Sequence, residues 1–292
     1  MPELPEVETV RRQLAAVLPG RRIAGVRVRL ARVLQNASPE ELARRTAGRV
    51  FGPPGRRGKY LLLPLFRAGG ASGSGPGARA GAEEAGARLI VHLRMTGRLT
   101  VEPAGEPETP YTRVAFSLDD GQELRFADVR TFGTIHLVED GQEGGPAGLA
   151  ALGPEPLADE FTPEVLAAAL AGRRAPVKAV LLDQRRVAGL GNIYADEALF
   201  AAGIHPQRPA GGLARAEVER LHEAIRTVLA RALAEGGTTF RDYVNGRGQP
   251  GGFQAYLQVY GRAGRPCPRC GAAIARLRVA GRGTHVCLTC QT

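Results

Sequence analysis

A chain of 292 residues, 43% of them hydrophobic, is globular and long enough for two medium domains or one large one. Thirty-nine Lys+Arg against 29 Asp+Glu leave a net charge of +10, which points to a polyanion such as nucleic acid or else to a merely solubilising excess. No apolar run approaches a membrane span, "LLLPLF" being short and broken by proline, and no charged-then-apolar leader precedes it. No membrane-spanning helix is expected, and the expectation is a cytoplasmic protein.

The chain opens on "MPELPEVETV". Removal of Met1 would leave Pro2 with a free secondary amine, which titrates near neutrality and is partly nucleophilic at physiological pH. Attack by such an amine on an aldehyde-like carbon gives a cationic iminium, an electron sink for elimination. Glu3 is close enough in sequence to move protons at that centre. The same ten residues also read as an ordinary Pro- and Glu-rich helix start. "PEVETVRRQLAAVLPG" has Pro5 in its first turn, acids at its positive end, and an apolar stripe of Val7, Val10, Leu14 and Leu18.

"GVRVRL" alternates as a half-buried strand does. Further strands are predicted at "KYLLL", "RLIVHL", "RVAFSL", "QELRF" and "TIHLV", with "DDG" as a hairpin turn between two of them. A helix leading several antiparallel strands predicts a β-sandwich domain over residues 1–140. Residues 68–87, rich in Gly, Ala and Ser, read as a flexible loop between two strands. In "VHLRMTG" and "DVRTFG" an apolar side chain stands beside arginine and glycine, where burial is unnatural and an intercalating wedge is an alternative.

Residues 141–160 read as an interdomain linker. From Thr162 four helical segments follow: "TPEVLAAALAG", "APVKAVLLDQ", "NIYADEALFAAG" and "RAEVERLHEAIRTVLARALAEGG". They predict an all-α domain that, with the glycine-rich and mobile "NGRGQPGGFQ", covers residues 161–257. "GLGN" leads into one of these helices, either as a plain asparagine cap or as a phosphate-binding helix N-terminus.

The last segment, 258–292, holds all four cysteines. The spacing Cys267-x2-Cys270-x16-Cys287-x2-Cys290 reads as one tetrahedral four-thiolate zinc site closing a β-hairpin. A disulfide pair is the alternative, disfavoured in a leaderless chain. Four thiolates leave no open position, so the ion is structural. Between the pairs, "AGRGTH" forms a basic tip carrying Arg282. Composition adds one pointer: Lys59 and Lys178 are the only lysines, and Met95 the only methionine besides Met1, in an arginine-dominated chain.

Taken in order, "PELPEVETV", "GRRGKYLLL", "HLRMTG", "DVRTFGT", "LGPEPL", "GLGNIYADEALFAAGIHP", "GGTTFRDYVNGRGQPGGFQAYLQVYGR" and the cysteine pairs resemble the bacterial formamidopyrimidine-DNA glycosylases, which excise oxidised purines such as 8-oxoguanine. The match runs nearly end to end and leaves out only the low-complexity insert. It implies an α+β architecture: an N-terminal β-sandwich with its leading helix, a helix–two-turns–helix domain and a four-cysteine zinc finger.

By that resemblance Pro2 is the Schiff-base nucleophile, Glu3 its proton donor and Glu6 a supporting acid. Lys59 is the proton donor for β-elimination, and Arg282 grips phosphate and assists δ-elimination. Met95, Arg130 and Phe132 fill the void left by an extruded base. His92, Tyr111, Arg174 and Asn192 contact DNA, and Lys178 lies near the lesion pocket. Tyr111 and Arg174 stand where some relatives carry histidine and lysine, and Thr131 where some carry a second basic residue. Two other readings differ in substrate or class. An endonuclease VIII-type enzyme would prefer oxidised pyrimidines, against which Leu4 speaks; a catalytically silent DNA-binding zinc protein would use only the basic surface. The expected partner is damaged double-stranded DNA, bound by a monomer associated with the nucleoid.

Overall fold

The structure is a computed structural model that describes residues 2–67, 86–139, 145–239 and 251–292. The chain divides into two compact units. One comprises residues 1–2, 6–150 and 239–251; the other comprises Glu3–Pro5, Ala151–Thr238 and Gly252–Thr292.

In the first unit, helix α1 (Leu4–Val17) is followed by strand β1 (Ile23–Val28) and helix α2 (Pro39–Thr46). Ser38 caps α2 through a reciprocal capping box with Glu41. Seven further strands follow: β2 (Val50–Phe51), β3 (Gly55–Arg57), β4 (Tyr60–Phe66), β5 (Ala87–His92), β6 (Gly97–Pro103), β7 (Thr112–Leu118) and β8 (Gln122–Asp128). Strand β9 (Thr134–Glu139) and a short helix α3 (Ala147–Ala150) close the unit.

These strands build two antiparallel sheets, β2-β4-β5-β9 with β3 alongside β4, and β1-β7-β8-β6. One core joins them. Leu61, Leu63 and Leu65 of β4, with Leu89 and Val91 of β5, point into it from the first sheet; Val114, Phe116, Leu124 and Phe126 do so from the second. The period of two in those positions is what a sheet with one buried face requires. Val7, Val10, Leu14 and Leu18 join the same core, so the predicted stripe of α1 is the face it buries. Each fully buried leucine contributes about 1.5–3 kcal/mol.

The opposite face of the second sheet carries a chain of alternating charges. Arg27 meets Glu108 at 2.6 Å and Glu123 at 2.7 Å, Arg29 meets Glu108 at 2.7 Å, and Arg125 meets Glu123 and Glu102 at 2.9 Å each.

In the second unit, α4 (Pro163–Leu170) starts at Thr162, whose side chain accepts from the Val165 amide, and α5 (Val177–Leu182), α6 (Asn192–Ala202) and α7 (Arg215–Ala234) follow. Every residue of α6 from Ile193 to Phe200 is buried, the mark of a central helix. It ends at Gly203, in the left-handed region that a β-carbon disfavours (φ 73°). Strands β10 (Ala275–Val279) and β11 (Arg282–Val286) form the hairpin of the cysteine segment, with Ala280 and Gly281 both at positive φ in its tight turn.

The β-sandwich, the helical segments and the C-terminal hairpin match the expected architecture. Three strands escaped the sequence reading: β2 and β3 are too short to show a period, and β6 follows directly on the "RMTG" loop. The predicted 68–87 loop needs trimming, because Ala87 is the fully buried first residue of β5 and pairs with Leu65. Residues 68–85, and 245–250 of the glycine-rich segment, lie outside the described residues. Phe253–Tyr256 form a 3-10 turn with Phe253 buried. Among the described residues no helix is long and apolar enough to cross a membrane.

Candidate functional site

Within the second unit the residue after Pro2 is seated at the N-terminus of α6. The Ile193 amide donates to Glu3 Oε1 at 3.1 Å, and the Leu4 amide donates to the Gly189 carbonyl at 3.0 Å. Glu3 is 2% exposed. The helix end places unsatisfied N–H groups and a partial positive charge against the carboxylate. A β-carbon at Gly191 would lie 2.3 Å from the Glu3 carboxyl carbon, and one at Gly189 2.8 Å from the Leu4 side chain. The two glycines of "GLGN" are therefore the space in which Glu3 and Leu4 sit. Of the two readings of that motif, the plain asparagine cap fails, because Asn192 is the first residue of α6 and not its cap. Gly191 is the cap residue, Glu3 is the anion, and Asn192 Nδ2 donates instead to the Gly283 carbonyl at 3.0 Å.

The same helix holds the hairpin. Lys178 Nζ lies 2.6 Å from Asp196 Oδ1, both side chains being 0% exposed. The ammonium also donates to Thr284 Oγ1 at 2.8 Å and to the Gly283 carbonyl at 3.1 Å. Asp196 Oδ2 accepts from the His285 amide at 2.9 Å, and the Thr284 hydroxyl donates to the Arg282 carbonyl at 3.1 Å. Burial pulls the Lys178 ionisation down from its ordinary value, opposed by Asp196. Lys178, expected near the lesion pocket, is fully buried, its ammonium directed at Asp196, Thr284 and Gly283. Arg282 itself is exposed at the start of β11, as is Arg174 ahead of α5.

In the first unit Pro2, Glu6 and Lys59 are all buried, Glu6 at 1% and Lys59 at 6% exposure. Next in sequence to Lys59, the Tyr60 ring meets His92 edge-on at 4.6 Å. His92 Nδ1 accepts the Arg94 amide at 2.9 Å, which leaves the ring proton on Nε2. Burial, then the charges of Arg94 and Lys59, press His92 down to about 3. It is thus a neutral hydrogen-bond donor across the physiological range. Burial raises Glu8, but hydrogen bonds from Arg11, Arg12 and Arg56 outweigh it and leave the carboxyl below its ordinary value.

Two loops of this unit carry the exposed apolar residues. Met95, between β5 and β6, is 39% exposed, and Phe132, between β8 and β9, is 52% exposed. The Arg130 guanidinium stacks over the Phe132 ring at 5.0 Å. Asp128, 1% exposed, ties the loops together. Its carboxylate accepts from the Thr96 hydroxyl, from the Arg130 amide at 3.2 Å and from the Gly133 amide at 2.7 Å. Thr96 Oγ1 in turn accepts the Arg130 amide at 3.0 Å. Tyr111, 46% exposed, lies beneath Arg113 at 5.8 Å.

The four cysteine sulfurs lie within 4.8 Å of one another, with Cys267–Cys290 at 3.9 Å and Cys270–Cys287 at 3.5 Å. Zinc–thiolate bonds of about 2.3 Å in a tetrahedron put sulfurs roughly 3.8 Å apart, so the set fits one structural zinc ion. The Arg269 amide donates to Cys267 Sγ at 3.4 Å, a bond that orients a ligand sulfur. Another clamp reaches the segment ahead of the finger: the Glu197 carboxylate accepts the amides of Gln258, Val259 and Tyr260 at 2.8–3.0 Å.

Gly191, Asp196, Glu197, Asp128, Thr96 and Thr284 were not singled out from the sequence. All six lie inside motifs read from the sequence, "GLGNIYADEALF", "DVRTFG", "VHLRMTG" and "AGRGTH", but nothing in the spacing marked them individually.

Three family models match the chain: the formamidopyrimidine-DNA glycosylase N-terminal domain over 1–135, its H2TH domain over 152–244, and the zinc finger found in FPG and IleRS over 264–292. A formamidopyrimidine-DNA glycosylase of Symbiobacterium thermophilum is 52% identical over 100% of this chain and 89% of that protein. One from Bacillus subtilis is 44% identical over 100% of this chain and 99% of that protein. Among solved structures, MutM (FPG) of Thermus thermophilus superposes with a TM-score of 0.84 at 43% identity, covering 99% of this chain and 98% of that one. A Lactococcus lactis FPG mutant in complex with DNA containing Fapy-dG does so with a TM-score of 0.86 at 35% identity over 100% of both chains.

Proposed function

The chain belongs to the formamidopyrimidine-DNA glycosylase family, and from that membership we propose a bifunctional glycosylase and abasic-site lyase that removes oxidised purines from duplex DNA. The observation that carries the reading is the seat of Glu3: a buried carboxylate held by the Ile193 amide, directly beside Pro2 in the chain. The protein acts as a cytoplasmic monomer through domains at 1–140, 161–257 and 258–292, joined by 141–160.

With Met1 removed, the Pro2 nitrogen attacks C1′ of the extruded nucleotide. The C1′–N9 bond breaks, its electron pair leaves with the base, and the base takes up a proton. Glu3 protonates O4′ as the sugar opens to the cationic iminium, with Glu6 supporting the site. Loss of the C2′ proton expels the 3′ phosphate, and loss of the C4′ proton then expels the 5′ phosphate. Lys59 serves the first elimination and Arg282 the second. Water hydrolyses the iminium and returns the free amine. Met95, Arg130 and Phe132 occupy the vacated stack, an extrusion that costs a few kcal/mol. His92, Tyr111, Arg174 and Asn192 hold the backbone. The four cysteines hold zinc, which stabilises the finger and takes no part in the chemistry.

Borohydride reduction of the chain on an 8-oxoguanine or abasic duplex tests this. The expected result is a stable protein–DNA adduct that mass spectrometry maps to Pro2 and that a blocked N-terminus abolishes. An adduct mapping to a lysine, or none from a Met1-free chain, overturns it.

A further inference from the structure

Glu8 is the third acid of the opening stretch, after Glu3 and Glu6, and the chemistry above gives it no part. Its carboxylate, mostly buried on α1, accepts from Arg11 at 2.8 Å, from Arg12 at 3.0 Å and from Arg56 Nε at 3.0 Å. Arg56 stands on β3, and its Nη1 donates to the Gly58 carbonyl at 2.9 Å. Strands β3 and β4 are joined by a two-residue turn, Gly58 and Lys59, closed by the pairing of Arg57 with Tyr60. Gly58 holds the first position of that turn at φ 55°, and Lys59 the second. The carbonyl that Arg56 grips therefore belongs to the peptide group leading into Lys59. Fixing that plane fixes the direction in which the lysine leaves the backbone. A guanidinium can do this because one planar group reaches the helix carboxylate and the turn carbonyl at once.

We propose that Arg56, held by Glu8, is a positioning residue for Lys59: the bridge ties the turn that carries the lysine to the helix that follows Pro2. Arg56 acts by aiming the amine and takes no part in the bond changes. The inference rests on the role given to Lys59 above.

The test is single-turnover nicking of an 8-oxoguanine duplex at saturating protein, with duplex affinity and melting temperature measured alongside. Arg56→Lys is the main variant. It keeps the positive charge, and with it the attraction to phosphate, but a compact ammonium lacks the fork that spans both acceptors. Nicking should slow about tenfold, on the scale of a sub-ångström misplacement of a catalytic group, with affinity essentially unchanged. Glu8→Gln, which keeps one acceptor oxygen for Arg56 and removes the charge, should slow it less. In a Lys59→Met background, Arg56→Lys should lower the residual rate no further.

A folded Arg56→Lys chain that nicks at the unaltered rate overturns the proposal. So does a loss that persists in full in the Lys59→Met background, which would give Arg56 a part of its own, and so does an affinity that falls in step with the rate, which would place Arg56 on the duplex. If Arg56→Lys does not fold, Glu8→Gln decides by the same criteria. A Lys59→Met chain that nicks as fast as the unaltered one is a different failure, that of the role given to Lys59.

Discussion

At Gly191 a hydrogen atom stands where any other residue would put a carbon 2.3 Å from the Glu3 carboxyl. The backbone there is extended (φ −135°), so the glycine is required for space and not for its conformational freedom. Gly191→Ala should displace Glu3 by about an ångström and lower single-turnover base release by about 100-fold, as misplacement of a catalytic group on that scale does. The melting temperature, measured alongside, separates this from unfolding. Lys59 and Lys178 stood out because the chain's arginine bias made lysine rare, Met95 because it is the one methionine besides Met1, and Phe132 because arginine and glycine stand beside it. Gly191 and Asp196 were not, since a glycine's emptiness and an acid's buried partner are properties of what lies across from them. Sequence spacing carries no record of that.

The two loops that carry Met95 and Phe132 stand where they do because Asp128 accepts three hydrogen bonds across them. Asp128→Ala leaves those donors unsatisfied, at about 1–3 kcal/mol each where they stay buried. Base release from duplex should fall at least about tenfold, while cleavage of a single-stranded abasic site, which needs no void filled, should persist. The charge chain on the second sheet predicts acid sensitivity. Arg29 and Arg27 hold Glu108 down to about 2 against an ordinary 4.5, and burial holds His92 down to about 3 against 6.5. Both unfolded groups bind protons more readily than the folded ones. The stability they contribute is therefore complete above pH 6.5 and lost as pH falls, first through His92 and then, below 4.5, through Glu108. Melting curves should show both stages, and Glu108→Gln should remove the lower one. Most helices and long strands at this scale were readable from period, but α2 and the seven-residue β6 were not. The two- and three-residue strands were not, because pairing with β4 and not any local pattern makes them strands.

For the molecule as a whole, a net charge of +10 and exposed Arg174 and Arg282 predict affinity dominated by phosphates. Log K for duplex DNA should fall linearly with log salt, with a slope near −0.9 per phosphate neutralised, and Arg282→Ala should flatten the slope by about one unit. A fluorescence titration across salt concentrations reads both.

Helix α6 carries a different lesson about scale. Its N-terminus receives Glu3, its middle supplies Asp196 to the hairpin and Glu197 to three successive amides, and at its far end Arg269 of the finger donates to the Phe200 and Ala201 carbonyls. A zinc finger is commonly treated as a portable cassette. This one shares its footing with the helix that seats Glu3, so a graft or exchange of residues 258–292 should succeed only if Asp196, Glu197 and Phe200 travel with it. A substitution on either side is felt on the other, because the two stretches are tied by these bonds despite being separated in the chain.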